Sequence, residues 1–152
     1  MKGWSVDRAA GILEEAGARN YSINAGGDVR VRGGALPDPV WRIGVLHPLL
    51  QDKVAAVLAV TDTSIATSGT YARGEHIIDP HTGQPPREVL SVSIVGPDLA
   101  TVDAYATAAF AMGADGPLWT AGLFGYEAMT IMADETVLST RWFPAVAEDD
   151  SL

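Results

Sequence analysis

Two stretches of the chain hold residues whose types and spacing could do chemistry. The first runs from Thr63 to Gly83 and gathers hydroxyls, His76, His81, Arg73, Asp79 and three glycines into two short segments joined by a turn. Ile65–Gly69 reads as a strand running into a glycine loop. Glu75–Asp79 reads as a second strand, stopped by Pro80, with Thr82-Gly83 supplying a turn. Backbone amides and hydroxyls beside glycines suit an anion such as a phosphate. An ordinary polar hairpin has the same composition, so both readings stand. The second stretch holds Asp103 and Thr107, four apart and therefore on one helix face. A carboxylate and a hydroxyl so placed can both reach a hard cation, and magnesium often takes only one or two protein carboxylates, with water and substrate phosphates as its other ligands. In the plainer alternative Asp103 faces solvent and Thr107 bonds back to a helix carbonyl. Nothing in the pair alone lifts the first reading above the second.

A third place is Asn24-Ala25-Gly26-Gly27-Asp28. Gly26-Gly27 makes a hairpin turn between alternating strands, and it also lets backbone come close to a flat ligand. Turn and site fit equally well there.

The elements around these residues follow from periodicity. Ser5 is the expected N-cap of a first helix, with Asp7 favourable in its first turn. Val6, Ala9, Ala10, Leu13 and Ala16 give that helix an apolar stripe, and Gly17 closes it. Strands are expected at Tyr21–Ile23, Val29–Gly33, Val40–Val45 and Val54–Val60, with His47 structural at a strand end. Leu90–Val95 alternates with period two and reads as half-buried. A helix spans Ala100–Met112, capped by Asp98 or Thr101, with alanines that let it lie close to a sheet. A shorter helix covers Pro117–Leu123, and strands cover Tyr126–Met132 and Thr136–Trp142. Strands outnumber helices and hairpin signals dominate, which gives an α+β fold: a mainly antiparallel sheet with helices packed on one side. Residues 1–147 read as a single domain and 148–152 as an acidic tail.

Composition narrows the function. The 152 residues suffice for one domain, and the net charge of −9 with only 10 basic residues argues against a nucleic-acid partner. No cysteine is present, which removes disulfides, thiolate zinc sites and cysteine nucleophiles. No apolar run reaches the ~18 residues of a membrane span, and the first residues carry no signal-peptide apolar region. The chain enters its first helix almost at once, which suggests an upstream segment.

Five motifs in one order carry a resemblance. Lys2-Gly3-Trp4-Ser5-Val6-Asp7, Asn24-Ala25-Gly26-Gly27-Asp28, Ala66-Thr67-Ser68-Gly69, His76-Ile77-Ile78-Asp79-Pro80-His81-Thr82-Gly83 and Asp103-Ala104-Tyr105-Ala106-Thr107 resemble the ApbE family of FAD:protein FMN transferases, over nearly the whole chain. The ending Ala109-Phe110-Ala111-Met112-Gly113 also looks like the family's helix end. The resemblance implies an ApbE-like, T-fold-related fold and a reaction in which the FMN half of FAD passes to a Thr or Ser hydroxyl of a target protein, with Mg2+ as cofactor. It implies Asp103 and Thr107 as metal ligands and His76 beside the reacting pyrophosphate. It implies FAD contacts from Lys2, Asn24, Gly26, Gly27, Asp28, Thr67, Ser68 and Gly69.

Family members are about twice as long. The resemblance places a flavin-stacking aromatic, other FAD contacts and a glycine-rich run completing the metal site before Lys2. The chain is therefore expected to be a C-terminal piece or a short relative, with weakened FAD affinity, little or no transferase activity by itself, and self-association as a homo-oligomer favoured by uncovered apolar surface. Export with membrane anchoring is usual in the family, and the compartment stays open for this chain. Two other functions fit the same residues: a non-catalytic remnant binding FAD, another nucleotide or a partner protein, and a metal-dependent FAD pyrophosphatase.

Overall fold

The computed structural model describes residues 2–50, 52–70 and 76–146. In chain order the elements are α1 (Lys2–Glu15), β1 (Tyr21–Ala25), β2 (Asp28–Arg32), β3 (Trp41–Leu46), β4 (Val54–Val60), β5 (Thr63–Gly69) and β6 (Val89–Gly96). Then come α2 (Leu99–Ala111), α3 (Gly116–Ala121), β7 (Glu127–Met132), β8 (Val137–Ser139) and β9 (Ala145–Val146). Among the described residues the strands form two antiparallel sheets. One is six-stranded in the order β1-β2-β5-β6-β7-β8, and the other is three-stranded in the order β3-β4-β9.

The side-chain period of two sorts the large sheet into two faces. Ala66, Val92, Ile94 and Ala128 pack with Val6 of α1 and with Leu99, Val102, Ala106, Ala109 and Phe110 of α2. Their neighbours Ile65, Val95 and Met129 point the other way, onto Val45, Leu58 and Val60 of the small sheet. The helices thus lie on one side of the large sheet, as the sequence predicts, while a second sheet covers the other. That second layer was not expected. It is why β6 is buried on both faces along nearly its whole length, where the alternation of Leu90–Val95 predicts a half-buried strand. Serines at Ser91 and Ser93 mimic an exposed face, yet they are 1% and 0% exposed.

Other differences are local. Ser5 lies inside α1, because the helix is already formed at Lys2. Of the predicted stripe, Val6 and Ala10 are buried together with Gly3, whereas Leu13 stays 37% exposed. The predicted strand Glu75–Asp79 does not form over residues 76–79, and Glu75 and Arg73 lie outside the described residues. Both edges of β5 are already taken, by β2 and β6, so the segment has no free edge to join. Instead Asp79 closes a loop, its amide donating to Gln84 O at 3.0 Å and its carbonyl accepting the Gly83 amide at 2.8 Å. The predicted strand Thr136–Trp142 shrinks to β8, because the Thr140 hydroxyl donates to Glu127 and accepts the Ala128 amide, which turns the chain toward β9. Asp98, not Thr101, caps α2, its carboxylate accepting the Thr101 amide at 2.9 Å. His47 is structural, with Nδ1 accepting the Leu49 and Leu50 amides. The acidic tail lies outside the described residues.

Candidate active site

The C-terminal half of β5, the start of β2, the start of α1 and one face of α2 surround a cleft of about 730 Å3. Each contributes for a reason visible in its periodicity. On β5, Ser68 shares the helix-facing side with Ala66, and its hydroxyl meets that of Thr107 on α2 at 3.3 Å. Thr67 points to the opposite side, where its hydroxyl bonds that of Ser93 at 2.8 Å. On β2, Asp28 shares the helix-facing side with Arg30 and Arg32. On α2, Ala100, Asp103, Ala104, Thr107, Ala108 and Ala111 line the cleft, at the spacing of one helical face. Ala106 and Ala109 are the alanines fully buried on that helix, so its small residues serve two surfaces: close packing on one, room for a ligand on the other.

Lys2, at the start of α1, places Nζ 2.7 Å from Asp28 Oδ2. Asp28 is only 3% exposed. Burial, the largest influence, holds its carboxyl above the usual aspartate range, and the negative charge of Asp103 pushes the same way; Lys2 and the Thr67 amide oppose them. The cleft therefore contains two mutually repelling carboxylates, one of them neutralised by an ammonium. Asp103 Oδ2 accepts the Gly3 amide at 3.3 Å, and Thr107 Oγ1 donates to the Asp103 carbonyl at 3.1 Å. The hydroxyl thus bonds back to its helix, as the plainer reading has it, while the half-buried Asp103 side chain faces the cleft with Gly69 and His76.

Of the residues named from the sequence, Lys2, Gly26, Asp28, Thr67, Ser68, Gly69, His76, Asp103 and Thr107 come together in this cleft. Asn24 and Gly27 do not. They line a second depression of about 600 Å3 between the two sheets, where β3 forms the opposite wall. The Asn24 carboxamide accepts the Gly27 amide at 3.0 Å, which braces the β1–β2 turn. Gly26 and Gly27 both take positive φ, 61° and 96°, so the turn itself requires glycine. Sequence reasoning missed Ile77 and Ile78 as lining residues, although they sit inside a quoted motif, and it missed the part that Gly3 and Asp7 play.

The donors that could hold a metal are all oxygens: the Asp103 carboxylate and the Thr107 and Ser68 hydroxyls. No group of three or more His, Asp or Glu side chains is placed for a metal among the described residues. One carboxylate with neutral oxygens fits a magnesium-like ion that takes its other ligands from phosphate and water.

Comparison with known proteins bears on the family and the fold. The sequence model of the ApbE family matches residues 1–130. The FAD:protein FMN transferase of Vibrio cholerae is 37% identical over 122 residues, covering 74% of this chain and 36% of the relative. That of Rhodobacter capsulatus is 35% identical over 142 residues, covering 88% of this chain and 27% of the relative. Among solved structures, the ApbE protein of Thermotoga maritima superposes with a TM-score of 0.85 at 32% identity, covering 94% of this chain and 51% of that one. The flavin transferase ApbE of Vibrio cholerae does so with a TM-score of 0.82 at 30% identity, covering 95% and 50%. This chain spans about a third or less of those curated relatives and about half of the solved chains. With the family's sequence model matched over residues 1–130 and the fold shared with a solved member at a TM-score of 0.85, the chain belongs to the ApbE family.

Proposed function

We propose that this chain provides the diphosphate- and metal-binding wall of an FAD:protein FMN transferase, acting on a Thr or Ser hydroxyl of a target protein. The observation that carries the reading is the meeting of Asp103, Thr107 and Ser68 in the same cleft as His76, Lys2 and the Gly26 turn. In the reaction the acceptor oxygen bonds to the phosphorus on the FMN side, and the phosphoanhydride bond to AMP breaks. The acceptor proton is released, and AMP leaves with the bridging oxygen.

Asp103, with Thr107 and Ser68, would hold Mg2+, which when bound supplies positive charge to the pyrophosphate oxygens. Lys2 and the Thr67–Gly69 backbone bind and orient the diphosphate, fixed donors being most effective where charge develops. His76, which lines the cleft, would orient the acceptor hydroxyl and take its proton. Gly26 lets the nucleotide approach the backbone. Asn24 and Gly27 act one step back, by bracing that turn. Weak activity of the chain by itself belongs to the same proposal, as does a single domain over residues 1–147. No helix among the described residues is long and apolar enough to cross a membrane.

The test is to mix the chain with FAD, Mg2+ and a Thr-containing acceptor peptide and to look for a flavin-fluorescent peptide. Asp103→Ala is expected to lower its yield by about a hundredfold or more. Unchanged yield overturns the metal assignment. AMP released without acceptor would mark a pyrophosphatase, and FAD binding without turnover a non-catalytic binder.

A further inference from the structure

Helices α1 and α2 cap each other. The Gly3 amide is one of the first-turn donors of α1 that no helix carbonyl can accept, and it donates to Asp103 Oδ2 on α2 at 3.3 Å. In return, Asp7 of α1 accepts the two free amides at the start of α2: Leu99 N on Oδ1 at 3.1 Å and Ala100 N on Oδ2 at 2.8 Å. The first-turn position expected of Asp7 in its own helix is thus replaced by a role at the neighbour's N-terminus. Arg30 of β2, two residues from Asp28, anchors the same Asp7 Oδ1 from Nη1 at 2.6 Å. The contact allows no slack. A Cβ on Gly3 would stand 2.5 Å from Leu99 O and 2.9 Å from Ala100 Cα, both backbone atoms that cannot swing aside.

We propose that Asp7 is a positioning residue for Asp103: by fixing α1 against the first turn of α2, it sets the Gly3 amide on the Asp103 carboxylate and so orients that carboxylate for a divalent cation. The inference rests on the metal reading of Asp103. Asp7 is not among the residues that line the cleft, so its effect passes through the helix pair. Partners of this kind, one shell behind a metal ligand, commonly change affinity ten- to a hundredfold when altered. A role confined to stability would leave affinity unchanged in protein that is still folded.

The experiment measures Mn2+ affinity by electron paramagnetic resonance of the free ion, with the melting temperature of each protein recorded alongside. The unmodified chain should bind Mn2+, and Asp103→Asn should abolish binding. Asp7→Asn should weaken binding about tenfold well below its melting temperature, and Gly3→Ala should do the same. Arg32→Ala, which breaks the ion pair with Glu14 at the far end of α1 (2.7 Å), should alter melting alone. Absence of Mn2+ binding, or full binding by Asp103→Asn, overturns the metal reading and this inference with it. Loss in Asp103→Asn with unchanged affinity in Asp7→Asn overturns the inference alone, as does an equal loss in Arg32→Ala. Should Gly3→Ala fail to fold, Asp7→Asn decides.

Discussion

Asp28 shows most clearly how single residues carry the account. Its carboxyl is buried beside Lys2, and its folded pKa lies above the ordinary 3.8. A raised folded value means the native protein holds that proton more firmly than the unfolded chain does. Stability from this group is therefore complete below pH 3.8 and lost as pH rises through the folded value. Asp28→Asn carries no such charge. Its stability relative to the parent, read from urea midpoints, should grow as pH rises from below 3.8 toward neutrality; a difference that shrinks would contradict the burial argument. At this scale the sequence was legible wherever a residue acts at its own position. Asp103, Thr107, His76 and Lys2, which the family resemblance singled out, line one cleft. Asp7 was not legible, since its partners Leu99 and Ala100 lie far along the chain and become neighbours only after folding. Asn24 was legible as a turn residue and as a ligand contact with equal force, and its carboxamide braces the turn.

Among the elements, α2 and β5 line most of the cleft, and β5 and its neighbour β6 both contain hydroxyls that look solvent-facing in the sequence. Ser64 is 0% exposed, and its Oγ has no hydrogen-bond partner among the described residues. A buried hydroxyl without a partner has lost its hydration and gained nothing in return. Ser64→Ala should therefore leave stability unchanged or raise it, by on the order of 1 kcal/mol; a loss of similar size in chemical denaturation would show that the hydroxyl has a hidden partner. The same residues explain why strand burial was misread. Period-two alternation reports chemical type, and serine at two alternate positions of β6, Ser91 and Ser93, imitates a wet face. The loop at 76–79 was misread for another reason: His76-Ile77-Ile78 has strand propensity, but β5 offers it no open edge.

At the scale of the whole molecule, the small sheet covers the face of the large sheet opposite the helices. Leu58 of β4 is fully buried between the sheets. Leu58→Ala should cost about 2–5 kcal/mol of unfolding free energy if both layers share one cooperative core, and a cost below about 1 kcal/mol would mean that the small sheet packs loosely. The sequence announced β3 and β4 as strands without saying which sheet they join, because sheet membership depends on pairing between distant segments. Antiparallel strands with helices on one side were readable from hairpin turns and helix periodicity, and the second layer was not.

The central claim is that Asp103 links a divalent cation to the diphosphate of FAD. Its most direct test is the affinity of FAD for the chain, measured calorimetrically with Mg2+ and again with chelator, in the parent and in Asp103→Ala. The account predicts that Mg2+ strengthens FAD binding in the parent and has no effect in the variant. Equal strengthening in both would contradict it.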